Sequence, residues 1–254
     1  MISLGRVRRA SWVSPMKCLI VNFRLLPFRQ AIRLPILVTR SLSIGTLRGS
    51  AIIHGRVTPS MIRLGFLHSD LFSWKEPVHL NIAGRIVFEG RMGLGVGSTI
   101  EVARSACLEL GGNLQIGART KLFCRESIKI GNNTRMAWEA QVIDTNFHYI
   151  KNIHTGEIAK DTKAVVIGEN NWLGNRCSIM QGTHTPNFTI IASNSLCNRN
   201  YSDVTEQYSI IGGLPAKLIG KGYIRVLDKE EAMVRARFQE LGAPNTIVSP
   251  LYGD

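Results

Sequence analysis

The residues of this chain best suited to chemistry lie in one tract, residues 138–150, which reads WEAQVIDTNFHYI. The tract holds an imidazole, His148, and two carboxylates, Asp144 and Glu139. An imidazole titrates near neutral pH and can take a proton from a weakly acidic group such as a hydroxyl. Either carboxylate could hold the imidazole in one tautomer, and a backbone carbonyl could do the same. A loop histidine alone is most often structural, so its interpretation depends on the elements around it.

A six-residue pattern surrounds this tract and is clearest between residues 167 and 197. Four of the six residues in register are aliphatic, and the fifth position of each hexad is small or short. The residues in register are Ile167, Leu173, Ile179, Thr185, Ile191 and Cys197. A strand repeats every two residues and a helix every 3.6, so neither predicts this pattern. It predicts a triangular coil of three hexads, whose core forms by stacking on neighbouring coils.

The same pattern begins at Ile82 and continues to Val142, with slips near residues 106 and 128. The interval from Val142 to Ile167 is one residue longer than four hexads. We therefore expect residues 148–166 to leave the prism as a loop. Long loops inside compact folds are usually functional, and His148 stands at the start of this one.

The repeats resemble those of the hexapeptide-repeat acyltransferases, whose fold is a left-handed parallel β-helix. The stretch GGLPAK at residues 212–217 is similar to the G-x-P-A-K/R ending of the acetyl-CoA-dependent members. Residues 144–148, DTNFH, resemble the D-T-D-F-H stretch of bacterial acetyltransferases that modify surface polysaccharides, with Asn146 in place of an aspartate. The resemblance covers about residues 82–222. It implies an acetyl-CoA-dependent O-acetyltransferase acting on a sugar hydroxyl, assembled as a homotrimer with sites between chains.

The resemblance also gives roles to individual residues. His148 would be the general base, with Asp144 or Glu139 as its orienting partner, and Trp138 and Asn146 would contact the acceptor. Small residues would leave room for the pantetheine arm of the coenzyme, and cations would face its phosphates. The residues expected there are Gly182, Ala192, Asn198, Arg199 and Lys217, with Lys221 nearby and Trp172 either in the groove or packed on its neighbour.

The sequence predicts no metal site. His154 within the loop and His184 at the sixth position of its hexad are the alternatives to His148 as the base. Three histidines together would resemble the β-helical carbonic anhydrases, but the match is loose and the coenzyme-type ending argues against it. The other histidines, which are His54, His68 and His79, lack the spacing of metal ligands.

Charge is unevenly spread along the 254 residues, of which 44% are hydrophobic and 19% charged. The net charge is +13, and residues 1–69 contain eleven Lys or Arg and no Asp or Glu. Residues 1–50 are interpreted as a basic cap on the β-helix, which could also contact an anionic membrane surface. Nucleic-acid binding is disfavoured because aromatic residues are few, and a transit peptide because the segment merges into the repeats.

Two further features concern the compartment. No stretch approaches eighteen uncharged apolar residues, so we expect no membrane-spanning helix. The five cysteines form no C-x-x-C pair and are expected to be reduced and buried. These features predict a cytoplasmic protein, with peripheral contact to the inner face of the cell membrane as the further expectation.

The sequence as a whole predicts an all-β protein, a left-handed parallel β-helix with a basic N-terminal cap and a C-terminal α-helix. The expected divisions are the cap at 1–81, the β-helix at 82–222 with its loop at 148–166, and a helix and tail at 223–254. The order of acids, arginines and a final glycine in residues 228–242 indicates the helix. Its apolar residues, expected to cover the end of the β-helix, are Ala232, Val234, Phe238 and Leu241. The alternatives to O-acetylation are N-acylation of an amino sugar and a non-catalytic β-helix scaffold.

Overall fold

Three parallel β-sheets dominate the structure, a computed structural model that describes residues 12–66 and 71–249. The chain visits the three sheets in turn, so each set of three strands makes one coil of a triangular prism. This arrangement confirms the predicted all-β parallel β-helix with a C-terminal helix. His68 and the basic segment 1–11 lie outside the described residues.

We name the sheets face I, face II and face III in the order in which the chain reaches them. The strands of face I are β1 (Ile36–Val38), β4 (Ile62–Leu64), β7 (Met92–Leu94), β10 (Leu114–Ile116), β13 (Arg135–Met136), β18 (Trp172–Leu173), β21 (Ile190–Ile191), β23 (Ser209–Gly213) and β24 (Ala216–Lys221). The strands of face II are β2 (Ser43–Leu47), β5 (His79–Ile82), β8 (Thr99–Val102), β11 (Lys121–Cys124), β14 (Gln141–Ile143), β19 (Ser178–Ile179) and β22 (Leu196–Cys197). The strands of face III are β3 (Ser50–Ile53), β6 (Arg85–Phe88), β9 (Cys107–Leu110), β12 (Ser127–Ile130), β17 (Val165–Ile167) and β20 (His184–Thr185).

The remaining elements lie outside the three faces. A separate antiparallel hairpin consists of β15 (Ile150–Lys151) and β16 (Ile158–Ala159). The helices are α1 (Pro15–Leu25), α2 (Phe28–Ala31) and α3 (Asp228–Glu240). No helix in the described part of the chain is long and apolar enough to cross a membrane.

The step from one coil to the next is eighteen residues where the hexads are regular. Val166, for example, pairs with His184 on the following coil. Earlier coils are longer, and Arg85 pairs with Cys107, a step of 22 residues. The extra residues lie between strands, so the slips in the sequence pattern leave the coils stacked.

The prism begins well before Ile82, the residue at which the six-residue pattern predicts its start. Strand β1 pairs in parallel with β4, and β4 with β7, so residues 36–64 belong to the same face as the later coils. The steps here are 26 residues between Ile36 and Ile62, and 30 between Ile62 and Met92. So many extra residues erase a six-residue pattern, which is why the pattern alone assigns these coils to the cap.

Backbones of successive coils approach closely where the faces meet. A Cβ atom on Gly117 would lie 2.6 Å from backbone atoms of Ala137, and one on Gly131 would lie 2.5 Å from the backbone nitrogen of Glu169. The aliphatic residue before such a glycine points into the prism, where Ile116 is almost completely buried. The pairing of an aliphatic residue with a small one therefore fills the core and lets the coils stack.

Helices α1 and α2 cover the N-terminal end of the prism and bond to its first coil. Asn22, fully buried on α1, donates to the carbonyl of Ile36 at 2.7 Å and accepts from its N–H at 3.0 Å. Gln30 makes the same pair of bonds with Ile53, at 2.7 and 3.0 Å. No coil precedes the first one within the described residues, so these backbone groups would otherwise lack partners there. The two amides take the place of a preceding coil.

Tyr201 and the hairpin β23–β24 close the C-terminal end. The side chain of Tyr201 is fully buried, and its hydroxyl donates to the carbonyl of Ala216 at 3.3 Å. Strand β24 pairs antiparallel with β23 and occupies the last edge of face I. The end of the prism is therefore covered before the chain reaches α3.

The predicted packing of α3 on that end is wrong. The helix is connected to the side of the prism by an ion pair between Asp228 and Arg135, a residue of face I. Of the residues expected to cover the end, Ala232 and Leu241 are exposed. The other two, Val234 and Phe238, are half-buried. Tyr201 and Ala216 already fill the core at that end, so the prism closes without the helix.

We expect Asn22→Ala to lower the free energy of unfolding by about 2 kcal/mol, because it leaves a buried N–H and a buried carbonyl of Ile36 without partners. Thermal and urea unfolding would measure the change. The matched control is Asn81→Ala, since Asn81 is exposed on face II. Equal stabilities of the two variants would contradict the role given to the cap amides.

Candidate active site

The excursion loop leaves the prism where face II meets face III, which we name the loop corner. Its two ends run side by side. The N–H of Lys163 donates to the carbonyl of Asp144 at 3.0 Å, and the N–H of Asn146 donates to the carbonyl of Asp161 at 2.8 Å. Beyond this short ladder the loop forms the hairpin β15–β16. The loop is therefore an ordered element fixed to the prism at its base.

Asp144 is fully buried, and its carboxylate closes a turn of the preceding coil. One oxygen accepts from the N–H of Arg125 at 2.7 Å, and the other accepts from the N–H groups of Glu126 and Ser127, both at 2.8 Å. A carboxylate held by three backbone donors is a strong structural anchor. The structure assigns Asp144 to this turn, and no hydrogen bond connects it to His148 within the described residues.

His148 follows the ladder directly and is exposed. Phe147 before it has a φ of 62° and packs edge-on against Phe123, with ring centroids 6.0 Å apart. The guanidinium of Arg125 lies 5.6 Å from the centre of the Phe147 ring. The backbone next to His148 is therefore fixed to face II, while its imidazole makes no hydrogen bond to any described residue. A free imidazole on a fixed backbone is available for a substrate.

The hairpin carries an apolar surface beyond His148. Ile153 is 84% exposed, and the other exposed apolar side chains of the loop are Tyr149, Ile150 and Ile158. His154 lies at the tip of the hairpin, where its N–H donates to the side chain of Asn152 at 2.9 Å. His154 is thus at the far end of the loop from the prism.

Four of the predicted coenzyme residues lie at or near the loop corner, on coils that follow His148. Gly182 has a φ of 75°, and its N–H donates to the carbonyl of Lys163 at 3.3 Å. One coil further, Asn198 and Arg199 directly follow β22 and are exposed. Arg199 lies over the ring of Tyr201 at 5.4 Å and donates to the carbonyl of Ala216 at 3.3 Å, so the exposed Lys217 is its neighbour.

Glu139 and Trp138 lie at a different corner, where face I meets face II. Glu139 accepts from Arg176 at 2.8 Å and from Arg119 at 3.3 Å. These hydrogen bonds, that of Arg176 first, lower the pKa of the Glu139 carboxyl. Trp138 packs near Phe72, with ring centroids 6.4 Å apart. Strand β14 lies between this corner and His148. Within one chain Glu139 therefore pairs with two arginines and not with His148.

Trp172 and Ala192 belong to this second group of predicted residues. Trp172 is exposed on face I, where it pairs with Arg135 and Ile190. Ala192 follows β21 at the corner between faces I and II. The predicted site residues of one chain therefore form two groups, and the width of face II separates them.

Histidines are spread out in the structure. His184 is half-buried on β20 of face III and pairs with Val166. No group of three or more His, Cys, Asp or Glu side chains that could hold a metal ion exists within residues 12–66 and 71–249. The expectation that no metal takes part stays a prediction.

Sequence reasoning did not identify Lys163, Arg125 or Phe123 as neighbours of the site. A Cβ atom on Gly182 would lie 3.4 Å from Cδ of Lys163, so this exposed lysine lies beside the glycine expected at the coenzyme. These residues are brought together by the stacking of different coils. Only a three-dimensional register could have revealed them, because each occupies an ordinary position in its own coil.

The chain is similar to known proteins in sequence and in fold. No family model matches the chain. It is 27% identical over 153 residues to the "Putative lipopolysaccharide biosynthesis O-acetyl transferase WbbJ" of Escherichia coli K12, a match that covers 57% of this chain and 76% of the relative. It is 25% identical over 199 residues to the "Uncharacterized 24.8 kDa protein in cps region" of Klebsiella pneumoniae, covering 78% of this chain and 85% of the relative.

Among solved structures, the fold is similar to that of the polySia-specific acetyltransferase NeuO. The TM-score is 0.50 at 19% identity, and the match covers 79% of this chain and 93% of that one. The likeness in fold extends over nearly all of the NeuO chain, while the sequence likeness includes a named O-acetyltransferase. The chain therefore has the fold of the left-handed β-helix acetyltransferases, and its sequence likeness to a named O-acetyltransferase supports an acyltransferase.

Proposed function

We propose that this protein transfers an acetyl group from acetyl-CoA to a hydroxyl of a saccharide that belongs to a cell-surface polysaccharide or its precursor. The observation that carries the proposal is the composition of the loop corner. The exposed imidazole of His148, which bonds to none of the described residues, stands at the same corner as Gly182 and Arg199, with Lys217 beside the arginine. The names of both relatives, which refer to lipopolysaccharide biosynthesis and a cps region, support a saccharide acceptor.

The chemistry requires one well-placed base. A thioester carbonyl is already reactive, but a sugar hydroxyl must lose its proton as its oxygen attacks the carbonyl carbon. His148 takes this proton, the new carbon–oxygen bond forms, and the carbon–sulfur bond breaks. The proton held by the imidazole then passes to the departing thiolate. Holding both substrates at one corner supplies the rest of the acceleration.

The donor would be bound by residues on the coils after His148. Gly182 has no side chain, so the pantetheine arm can approach the backbone there. Arg199, Lys217 and the newly identified Lys163 supply cations for the phosphates, and Asn198 supplies an amide. Acetyl-CoA is made in the cytoplasm, and we place the reaction in that compartment.

We further propose that each site is shared between two chains of a cyclic homotrimer. The second group of residues, at face I and its corner with face II, cannot reach the loop corner of its own chain. A neighbouring copy could bring it there, because cyclic symmetry places one surface of each chain against a different surface of the next. The exposed apolar residues of the hairpin, among them Tyr149 and Ile153, would be covered in such an interface. In this arrangement Trp138, Trp172 and Ala192 serve the site of the neighbour.

N-acylation of an amino sugar is the alternative reaction, since the same base and donor would serve it. An assay of thiol release from acetyl-CoA against a panel of sugars and amino sugars separates the two reactions. A protein that released no thiol with any saccharide, while still binding other proteins, would instead be the non-catalytic scaffold.

We expect His148→Ala to reduce acetyl transfer by roughly 100- to 10,000-fold, the usual contribution of a general base. Turnover should fall while binding of acetyl-CoA is unchanged, because the proton moves only in the transition state. Steady-state kinetics with acetyl-CoA varied measures turnover and the Michaelis constant separately.

The matched controls for this substitution are His154→Ala and His184→Ala. His154 lies at the tip of the hairpin and His184 on face III, so each variant should keep most of the native activity. If one of them lost transfer while His148→Ala did not, the role of base would move to that histidine.

Arg199→Ala and Lys217→Ala should raise the Michaelis constant for acetyl-CoA more than they lower turnover. Contacts to the coenzyme phosphates are the same in the ground state and the transition state, so their loss weakens binding uniformly. The control is Arg235→Ala. This arginine lies on α3, where its guanidinium pairs with Glu231 of the same helix. Unchanged constants in both site variants would show that the coenzyme binds elsewhere.

The assembly should sediment at three times the chain mass of 28.2 kDa. Shared sites also predict that dilution to monomers abolishes transfer, because the two groups of residues lie at different corners of one chain and meet only between two chains. Sedimentation at several concentrations, with activity measured in parallel, makes the comparison. A stable and fully active monomer would contradict the shared site.

A further inference from the structure

Helix α1 carries two apolar stripes on opposite sides. The inner stripe, formed by Cys18, Val21 and Leu25, is buried against the first coil. The outer stripe is exposed and consists of Met16, Leu19, Ile20 and Phe23. An apolar stripe on a helix is normally buried against a partner. The outer stripe of α1 therefore lacks a partner in the described chain.

The exposed apolar surface continues onto α2. Phe28 is 71% exposed, and its ring centroid lies 6.1 Å from that of Phe23. Ile32, just after α2, is also exposed. We name this surface the cap patch, defined by Met16, Leu19, Ile20, Phe23, Phe28 and Ile32. A continuous apolar surface of this kind usually marks a binding site.

The charged residues of the two cap helices are all positive. Arg24 and Arg29 lie on these two helices and are exposed, and Arg40, which follows β1, is exposed as well. No Asp or Glu occurs anywhere in residues 1–69. Several cations elsewhere on the prism have acidic partners, as in the pairs of Lys129 with Glu109 and Arg119 with Glu76. The cap end thus combines apolar side chains with arginines that have no acidic partner among residues 12–66 and 71–249.

We propose that the cap end of the prism docks on an anionic lipid bilayer. The apolar side chains of the cap patch would enter the interface between headgroups and acyl chains, and Arg24 and Arg29 would contact the lipid phosphates. A second copy of this chain is a poor occupant, because two cap ends facing each other would bring arginines together. A nucleic acid would account for the arginines but would leave the apolar stripe exposed to water.

Docking through this end is compatible with the proposed site. The loop corner lies along the side of the prism, on coils that follow the cap by four or more turns. A cyclic trimer of parallel prisms would place three cap patches on one side, and three weak contacts would add to a strong one. This last step rests on the proposed trimer, while the docking of a single chain does not.

Flotation with vesicles tests the proposal directly. The native protein should float with vesicles of phosphatidylcholine mixed with phosphatidylglycerol at low salt, and much less at high salt or with phosphatidylcholine alone. Arg24→Glu combined with Arg29→Glu should lower binding on the order of tenfold. Phe23→Ser combined with Phe28→Ser should lower it to a similar extent, with no change in transfer to a soluble acceptor.

Two matched controls complete the test. Arg104→Glu reverses an exposed arginine of the prism side, and Met233→Ser replaces an exposed apolar residue of α3. Both should bind vesicles as the native protein does. Absence of binding to anionic vesicles at low salt would overturn the proposal, and so would binding that the cap variants and the controls affect equally. Because transfer to a soluble acceptor is measured separately, failure of docking is distinguishable from failure of the proposed function.

Discussion

The structure depends on one constraint, which is that each coil satisfies the backbone hydrogen bonds of the coils on either side of it. A small residue at each tight corner, such as Gly117, allows the coils to approach, and an aliphatic residue such as Ile116 fills the core beside it. A stack built in this way has two ends where the bonding stops. Asn22 and Gln30 supply the missing partners at one end. Tyr201 fills the other end.

The same constraint explains how a rigid prism can carry a catalytic loop. The loop starts and finishes at one corner, where Asp144 and Lys163 are bonded to each other, so the coil closes as if the loop were absent. His148 is therefore attached to a rigid support while its imidazole faces solvent. The coils that follow then place Gly182 and Arg199 at the same corner, since successive coils repeat the same corners. A candidate site thus forms from residues that are distant in the sequence.

The parts of this account that follow from the sequence are those that repeat. The hexads predict the coils, the break after Val142 predicts the loop, and both predictions agree with the strand order. The first coils were hidden because their corners are long. The partners of Asp144 and Glu139 were hidden because they belong to other coils, as Arg125 and Arg176 do. A periodic pattern tells which positions face the core, but it does not tell which corner groups meet.

The central claim is that the coenzyme binds along the loop corner with its sulfur beside His148. A crystal structure of the protein with bound coenzyme A tests this most directly. The account predicts the sulfur within reach of the His148 imidazole, the pantetheine arm over Gly182, and the phosphates near Arg199 and Lys217. It also predicts that a neighbouring chain covers the other side of the coenzyme. Coenzyme A bound on face III, or bound at the loop corner with its sulfur turned away from His148, would contradict the account.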